Sequence, residues 1–81
     1  MKLPRDLSGQ QFATLLRQYG YEISRQTGSH LRLTSTFTGV EHHITIPVHR
    51  VLRIGTLSDI LTDVAVYLGK NKDAIAEELF G

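Results

Sequence analysis

The chain has no cysteine, so thiolate chemistry and disulfides are excluded, and its histidines and arginines are the first candidates for moving protons and holding anions. They are not scattered. His30, His42, His43 and His49, together with Arg25, Arg32, Arg50 and Arg53, fall between residues 23 and 58, where only Glu41 opposes them and the formal charge is +3. Residues 1–22 carry +1 and residues 59–81 carry −3, so the net charge of +1 conceals a polarity along the chain. A polyanion would meet the middle block, which gains charge as pH falls toward the usual histidine value of about 6.5.

Within that block, Arg25-Gln26-Thr27-Gly28-Ser29-His30-Leu31-Arg32-Leu33 joins a turn to an alternating segment. Extended backbone sends successive side chains to opposite faces, so His30 and Arg32 point one way while Leu31 and Leu33 point the other. The leucines anchor a strand in a core, and a phosphate could meet the imidazole and the guanidinium together. By position alone His30 fits two roles, a solvated or turn-bonding residue and a general acid or base, and the first is the commoner fate of a histidine at a strand start. His42 and His43 are adjacent and so face opposite ways on a strand, and with the distant His49 they lack the spacing of a zinc motif; no metal site and no cofactor is expected. His43 falls on the face of His30, where it could act as a second acid or base. His49 either orders its own loop or touches phosphate. Arg25, Arg50 and Arg53 suit either a solvated surface or contact with a nucleic-acid backbone.

Several elements must hold these side chains. Ser8 reads as a helix N-cap with Gln11 completing a capping box, and Phe12, Leu15, Leu16 and Tyr19 form one apolar stripe, which predicts a helix over Gly9–Tyr19 ended by Gly20. Alternation then takes over: Tyr21 and Ile23 inward on a first strand, Leu31, Leu33 and Phe37 inward on a second from His30 to about Phe37, and Val40, His42, Ile44 and Ile46 on one face of a third that Pro47 stops. The outer face would carry His30, Arg32, His43 and Thr45. Val48–Gly55 reads as a loop. Thr56 is then the expected cap of a helix over Leu57–Leu68, and Asn71 the cap of a last one over Lys72–Leu79. The order αβββα(α) predicts an α+β sandwich, with helices on one face of a three-stranded antiparallel sheet.

Eighty-one residues suit a single domain, 1–81, with one small core, and 41% hydrophobic against 21% charged residues argues for a folded chain. No apolar run approaches the roughly 20 residues of a membrane span and no signal-peptide core follows Met1, so a cytoplasmic protein without membrane attachment is expected.

Met1 to Gly9, then Gly20-Tyr21, Arg25 to His30, Ile44 to His49, Gly55-Thr56-Leu57 and Ile60-Leu61 resemble, in order and spacing, the HicA (YcfA-like) toxin family over about residues 1 to 80. The resemblance implies a fold like the double-stranded RNA-binding domain, cleavage of mRNA through a histidine after a Gly-Ser pair, here His30, and inhibition by a HicB antitoxin. Two features depart from the commoner family pattern. Leu31 follows His30 where many relatives have a second histidine, and the Asp63–Lys72 region is longer.

RNA cleavage needs no metal where a base takes the 2′-hydroxyl proton and cations stabilise the charge gathering on phosphorus. On this reading His30 is the general base or acid, Arg32 steadies the phosphate, and Gly28 and Ser29 let the RNA backbone approach. Arg25, His43, His49, Arg50 and Arg53 add RNA contacts. The start of the second helix, Gly55-Thr56-Leu57-Ser58-Asp59, has no lysine with which to bridge a duplex groove, so single-stranded or structured mRNA is the expected partner, besides a HicB-like antitoxin. The chain is expected to be monomeric when free of antitoxin. A non-catalytic RNA-binding module and a protein-interaction domain are the alternatives.

Overall fold

The computed structural model describes residues 2–81 and has the element order α1 (Gly9–Leu15), a 3₁₀ turn (Leu16–Tyr19), β1 (Glu22–Thr27), β2 (His30–Ser35), β3 (His42–Pro47), α2 (Ile54–Leu68) and α3 (Lys72–Phe80). The strands form one antiparallel sheet in the order β1-β2-β3. This is the expected α+β layout with helices against one sheet face. The two-residue turn at Gly28-Ser29 joins β1 to β2, and Thr27 pairs with His30 across it.

Ser8 begins α1 as its residue type dictates. Its hydroxyl accepts from Gln11 N–H at 3.0 Å, and the Gln11 side chain accepts from Ser8 N–H at 2.9 Å, which satisfies two free donors of the first turn. Phe12, Leu16 and Tyr19 are buried as the stripe requires. The last turn tightens to 3₁₀ geometry, and Gly20 ends it at φ 79°, a left-handed conformation that glycine adopts without a Cβ clash.

The core lies between the sheet and the helices. Leu31, Leu33, Ile44 and Ile46 meet Phe12, Leu16, Leu57, Leu61, Val64 and Ile75 there, all 5% exposed or less. Ser35 takes the third inward position of β2. Its hydroxyl is buried, donates to Tyr19 C=O at 2.7 Å and accepts from Phe37 N–H at 3.1 Å, tying the end of β2 to the end of the first helix.

Four details differ from the expected pattern. Ile23 is 50% exposed because β1 is an edge strand with a bulge between Ile23 and Arg25, and Tyr21, just before the strand, fills the core instead. Phe37 is 61% exposed, since β2 ends at Ser35 and Phe37 lies in the following turn, edge-on to Tyr19. Val40 likewise precedes β3 and is exposed. Helix α2 starts at Ile54, with Arg53 in extended geometry as its N-cap and no side-chain cap, so Thr56 sits inside the first turn. Gly69 to Asn71 is then all that separates α2 from α3, whose cap is Asn71 as expected.

Candidate functional site on the open face of the sheet

Directly paired residues of a sheet share a face, so the register defines what the open side presents. Pairs between β2 and β3 place His30 opposite Pro47, Arg32 opposite Thr45 and Thr34 opposite His43 on the outer side, with the leucine and isoleucine pairs beneath. The bulge in β1 has its effect here. Unbroken alternation from Tyr21 and Ile23 would send Arg25 toward the core, but the extra residue at Ser24 shifts the phase, and Arg25 pairs with Arg32 on the open face.

Arg25, Thr27, His30, Arg32 and Thr45 together line a shallow basin of about 350 Å³. Two guanidinium groups directly opposite one another repel. Neither has a carboxylate within ion-pair distance: among the described residues the ion pairs are Lys70–Glu78 and His43–Glu41. The basin therefore offers two unneutralised cations, two hydroxyl-bearing threonines and an exposed imidazole, a set that suits an anion with several oxygens.

The His30 ring is held on one side. Its Nδ1 lies 3.1 Å from Ser29 Oγ, and because that hydroxyl rotates it can donate to a bare Nδ1 or accept from a protonated one. Either way Nε2 is left for a ligand. The turn that carries the pair is itself tied down, since Ser29 C=O accepts from Val48 N–H at 2.8 Å. The next residue, His49, accepts through its carbonyl from Gly9 N–H at 3.0 Å, and a Cβ on Gly9 would collide with the Pro47 carbonyl. Thus the start of α1, the end of β3 and the β1–β2 turn brace one another behind His30.

The remaining site residues named from sequence divide in four. Gly28 has open space where a side chain would stand, so nothing inside the fold requires glycine there. His49 and Arg50 are exposed in the loop beyond Pro47, at the His30 end of the sheet, and extend the cationic surface past the basin. Arg53 caps α2 next to Leu52, whose N–H bonds Leu7 C=O, and is not part of the basin. His43 shares the open face but stands opposite Thr34, four residues along β2 from His30 and about 13 Å away at strand spacing. It cannot share one phosphate with His30.

His42 faces the helices. Its Nδ1 is 2.7 Å from Tyr21 OH, and its ring stacks on Tyr67 at 4.6 Å and 11°. Burial pushes the Tyr21 phenol well above the usual tyrosine range, so it remains protonated beside the ring. Tyr67 in turn clamps the β2–β3 turn, accepting from Thr38 N–H at 3.2 Å and donating to Val40 C=O. Among the described residues no three histidine, aspartate or glutamate side chains come close enough to hold a metal ion. Among the described residues no helix is long and apolar enough to cross a membrane. A separate groove of about 400 Å³ between Leu3-Pro4 and α3 contains no histidine.

Sequence reasoning missed Thr27 as a basin residue and the side-chain ladder in which Ser24 bonds Thr34 and Thr34 bonds His43. The cross-strand register brings these in, whereas alternation along the third strand already puts Glu41 on the face of His43.

Comparison with known proteins gives one family: the model for the HicA toxin of bacterial toxin–antitoxin systems matches residues 9–66, from the start of α1 to near the end of α2, and so includes the whole sheet. No curated protein and no solved structure matches the chain.

Proposed function

The chain belongs to the HicA toxin family, and from that premise we propose that it is an endoribonuclease that cuts mRNA at the His30 basin by a route needing no metal. A toxin of this family works within a toxin–antitoxin pair, so an antitoxin partner follows from membership. The observation that supports cleavage most strongly is the exposed His30 beside the opposed Arg25 and Arg32, on a face with no carboxylate partner for either arginine.

The chemistry is an internal displacement. His30 Nε2 takes the 2′-hydroxyl proton, the 2′-oxygen attacks the adjacent phosphorus, and the bond to the 5′-oxygen of the next nucleotide breaks. A proton returned by the imidazolium, or by water, completes the 5′-hydroxyl, and the other product ends in a 2′,3′-cyclic phosphate. Ser29 accepts from Nδ1–H while the ring acts as base. Arg25 and Arg32 stabilise the extra charge on the phosphoryl oxygens, which is greatest in the transition state. Thr27 and Thr45 supply hydroxyl donors. His49, Arg50 and Arg53 contact flanking phosphates more weakly, and Gly28 leaves the turn clear for the strand.

The substrate is single-stranded or locally opened mRNA, since the sheet face is shallow and open and the start of α2 carries no lysine. The toxin is a cytoplasmic monomer when free, and the partner is a HicB-like antitoxin that denies RNA access to the basin. Incubation of purified protein with RNA in EDTA tests the reading: 5′-hydroxyl and 2′,3′-cyclic ends should appear with wild type and be lost with His30→Ala. RNA binding without such ends would leave a binding module in place of a nuclease.

A further inference from the structure

The sheet ends on one side in β1, and among the described residues no strand pairs with its outer edge. All six residues of β1 are exposed. In an antiparallel pair every second residue turns its N–H and C=O away from the neighbouring strand, so β1 keeps free backbone donors and acceptors for a further chain. Beside this edge lies a groove of about 230 Å³, lined by Ala13 and Thr14 of α1 and by Ile23, with Arg17 and Glu22 of opposite charge. Ile23 pairs with Leu33 on the helix side of the sheet, yet it is 50% exposed, an apolar side chain left half in water. On the open side the same strand presents Arg25, which opposes Arg32 and has no carboxylate within ion-pair distance. An exposed sheet edge with side-chain pockets beside it is the setting in which extended peptides join a sheet.

We propose that an extended segment of the antitoxin partner adds to β1 as a fourth strand, setting an acidic side chain beside Arg25 and an apolar one in the groove beside Ile23. The proposal rests on family membership for the partner and on the RNA reading of the His30 basin for the consequence. Charge complementarity selects the occupant. A second copy of β1 laid antiparallel would bring another Arg25 to a face where two guanidinium groups already oppose each other, whereas a carboxylate there relieves the repulsion. The other edge strand lacks this feature, because β3 carries no arginine or lysine. The two faces also set the pattern of the segment. An added strand lies about 4.8 Å from β1, and its side chains alternate between the open face with Arg25 and the helix face with Ile23. The bulge between Ile23 and Arg25 keeps regular backbone pairing short, so the two side-chain contacts supply the selectivity. Inhibition then works through charge as well as cover. Arg25 lines the basin, and a carboxylate bound to it removes one of the two cations that hold the scissile phosphate.

The experiment follows the backbone amides of the isotope-labelled full chain by NMR, with two capped octapeptides as probes, one alternating glutamate with valine and the other lysine with valine. The acidic peptide should shift the amides of Ile23 to Thr27 and bind about fivefold more tightly than the basic one. Arg25→Gln should remove that preference. Ile23→Thr should weaken the acidic peptide by about threefold while leaving RNA cleavage by the free chain unchanged. In the complex with the antitoxin, the β1 amides should exchange with solvent at least about tenfold more slowly than in the free chain. Equal affinity for the two peptides, shifts that leave β1 out, or unslowed β1 exchange in the complex overturns the added strand, and cleavage by the free chain still decides the nuclease reading. Protection of β1 that grows with protein concentration in the absence of peptide and antitoxin would make a second copy the occupant and overturn the proposal as well. Slowed β1 exchange in the complex of a chain that cuts no RNA would uphold the added strand and refute only the nuclease assignment.

Discussion

Replacing Arg25 by Gln should make the protein more stable and worse at its work. Arg25 and Arg32 stand directly opposite on adjacent strands, and neither is within ion-pair distance of a carboxylate. Like charges in that position destabilise a sheet by roughly 0.2–1 kcal/mol, and both side chains are solvated, so relief of about 0.5 kcal/mol is expected. For a domain of this size that corresponds to a rise of about 2–4 °C in Tm. Meanwhile RNA loses one phosphate contact, which flattens the plot of log affinity against log salt by about 0.7 for a single strand. Chemical denaturation and anisotropy over a salt series, at one fixed pH, read the two effects separately. Lower stability in Arg25→Gln, or an unchanged salt slope, would refute the reasoning, because the opposed pair would then be serving the fold and not an anion.

Ser35→Ala removes a buried hydroxyl and orphans the Tyr19 carbonyl, so it should cost about 1–3 kcal/mol in denaturant unfolding, whereas a cost near zero would mean that water replaces the bond. Gly9→Ala forces a methyl group against the Pro47 carbonyl and should cost about 1–3 kcal/mol, with the proton NMR signals of His49 and Ser29 shifting because that carbonyl cannot retreat without moving the loop. Glu78 accepts from Lys70 Nζ at 2.6 Å and from Tyr19 OH, and these bonds, Lys70 first, hold its carboxyl below the ordinary glutamate value. A folded-state value below the unfolded one gives stability that is present above about pH 4.5 and is lost as pH falls through the folded value, so Glu78→Gln should reduce the loss of stability on acidification below pH 4.5.

Where residue type alone decides local structure, the sequence was readable. The Ser8–Gln11 box, Gly20, the Asn71 cap and the Leu31/Leu33 alternation predict their elements because each depends on neighbours within a few residues. The same alternation places His42 among the core-facing residues and His43 outside. Arg25 shows the limit. Strict alternation turns it inward, and the bulge that turns it outward is a property of the pairing with β2, which no single strand announces. Ile23, Phe37 and Val40 fail for a related reason: strand ends are set by where partners stop, so apolar residues just past the pairing are left exposed. The start of α2 was misplaced because Thr56 is a good cap by type, whereas Arg53 holds the cap position through backbone geometry alone. His30 with Arg32 was legible as a chemical pair; Thr27, and the ladder through Ser24 and Thr34, needed the register.

Cleavage of a single-stranded RNA in EDTA by wild type and by His30→Ala is the measurement closest to the centre of the account. The His30 ring is exposed and, among the described residues, hydrogen-bonds only the neighbouring Ser29 side chain, so the variant should keep the wild-type circular dichroism spectrum and melting curve. Wild type should yield cyclic-phosphate and 5′-hydroxyl ends, and the variant should be slower by at least about 100-fold, the lower bound for a positioned acid or base. Equal cleavage by the two proteins would contradict the assignment.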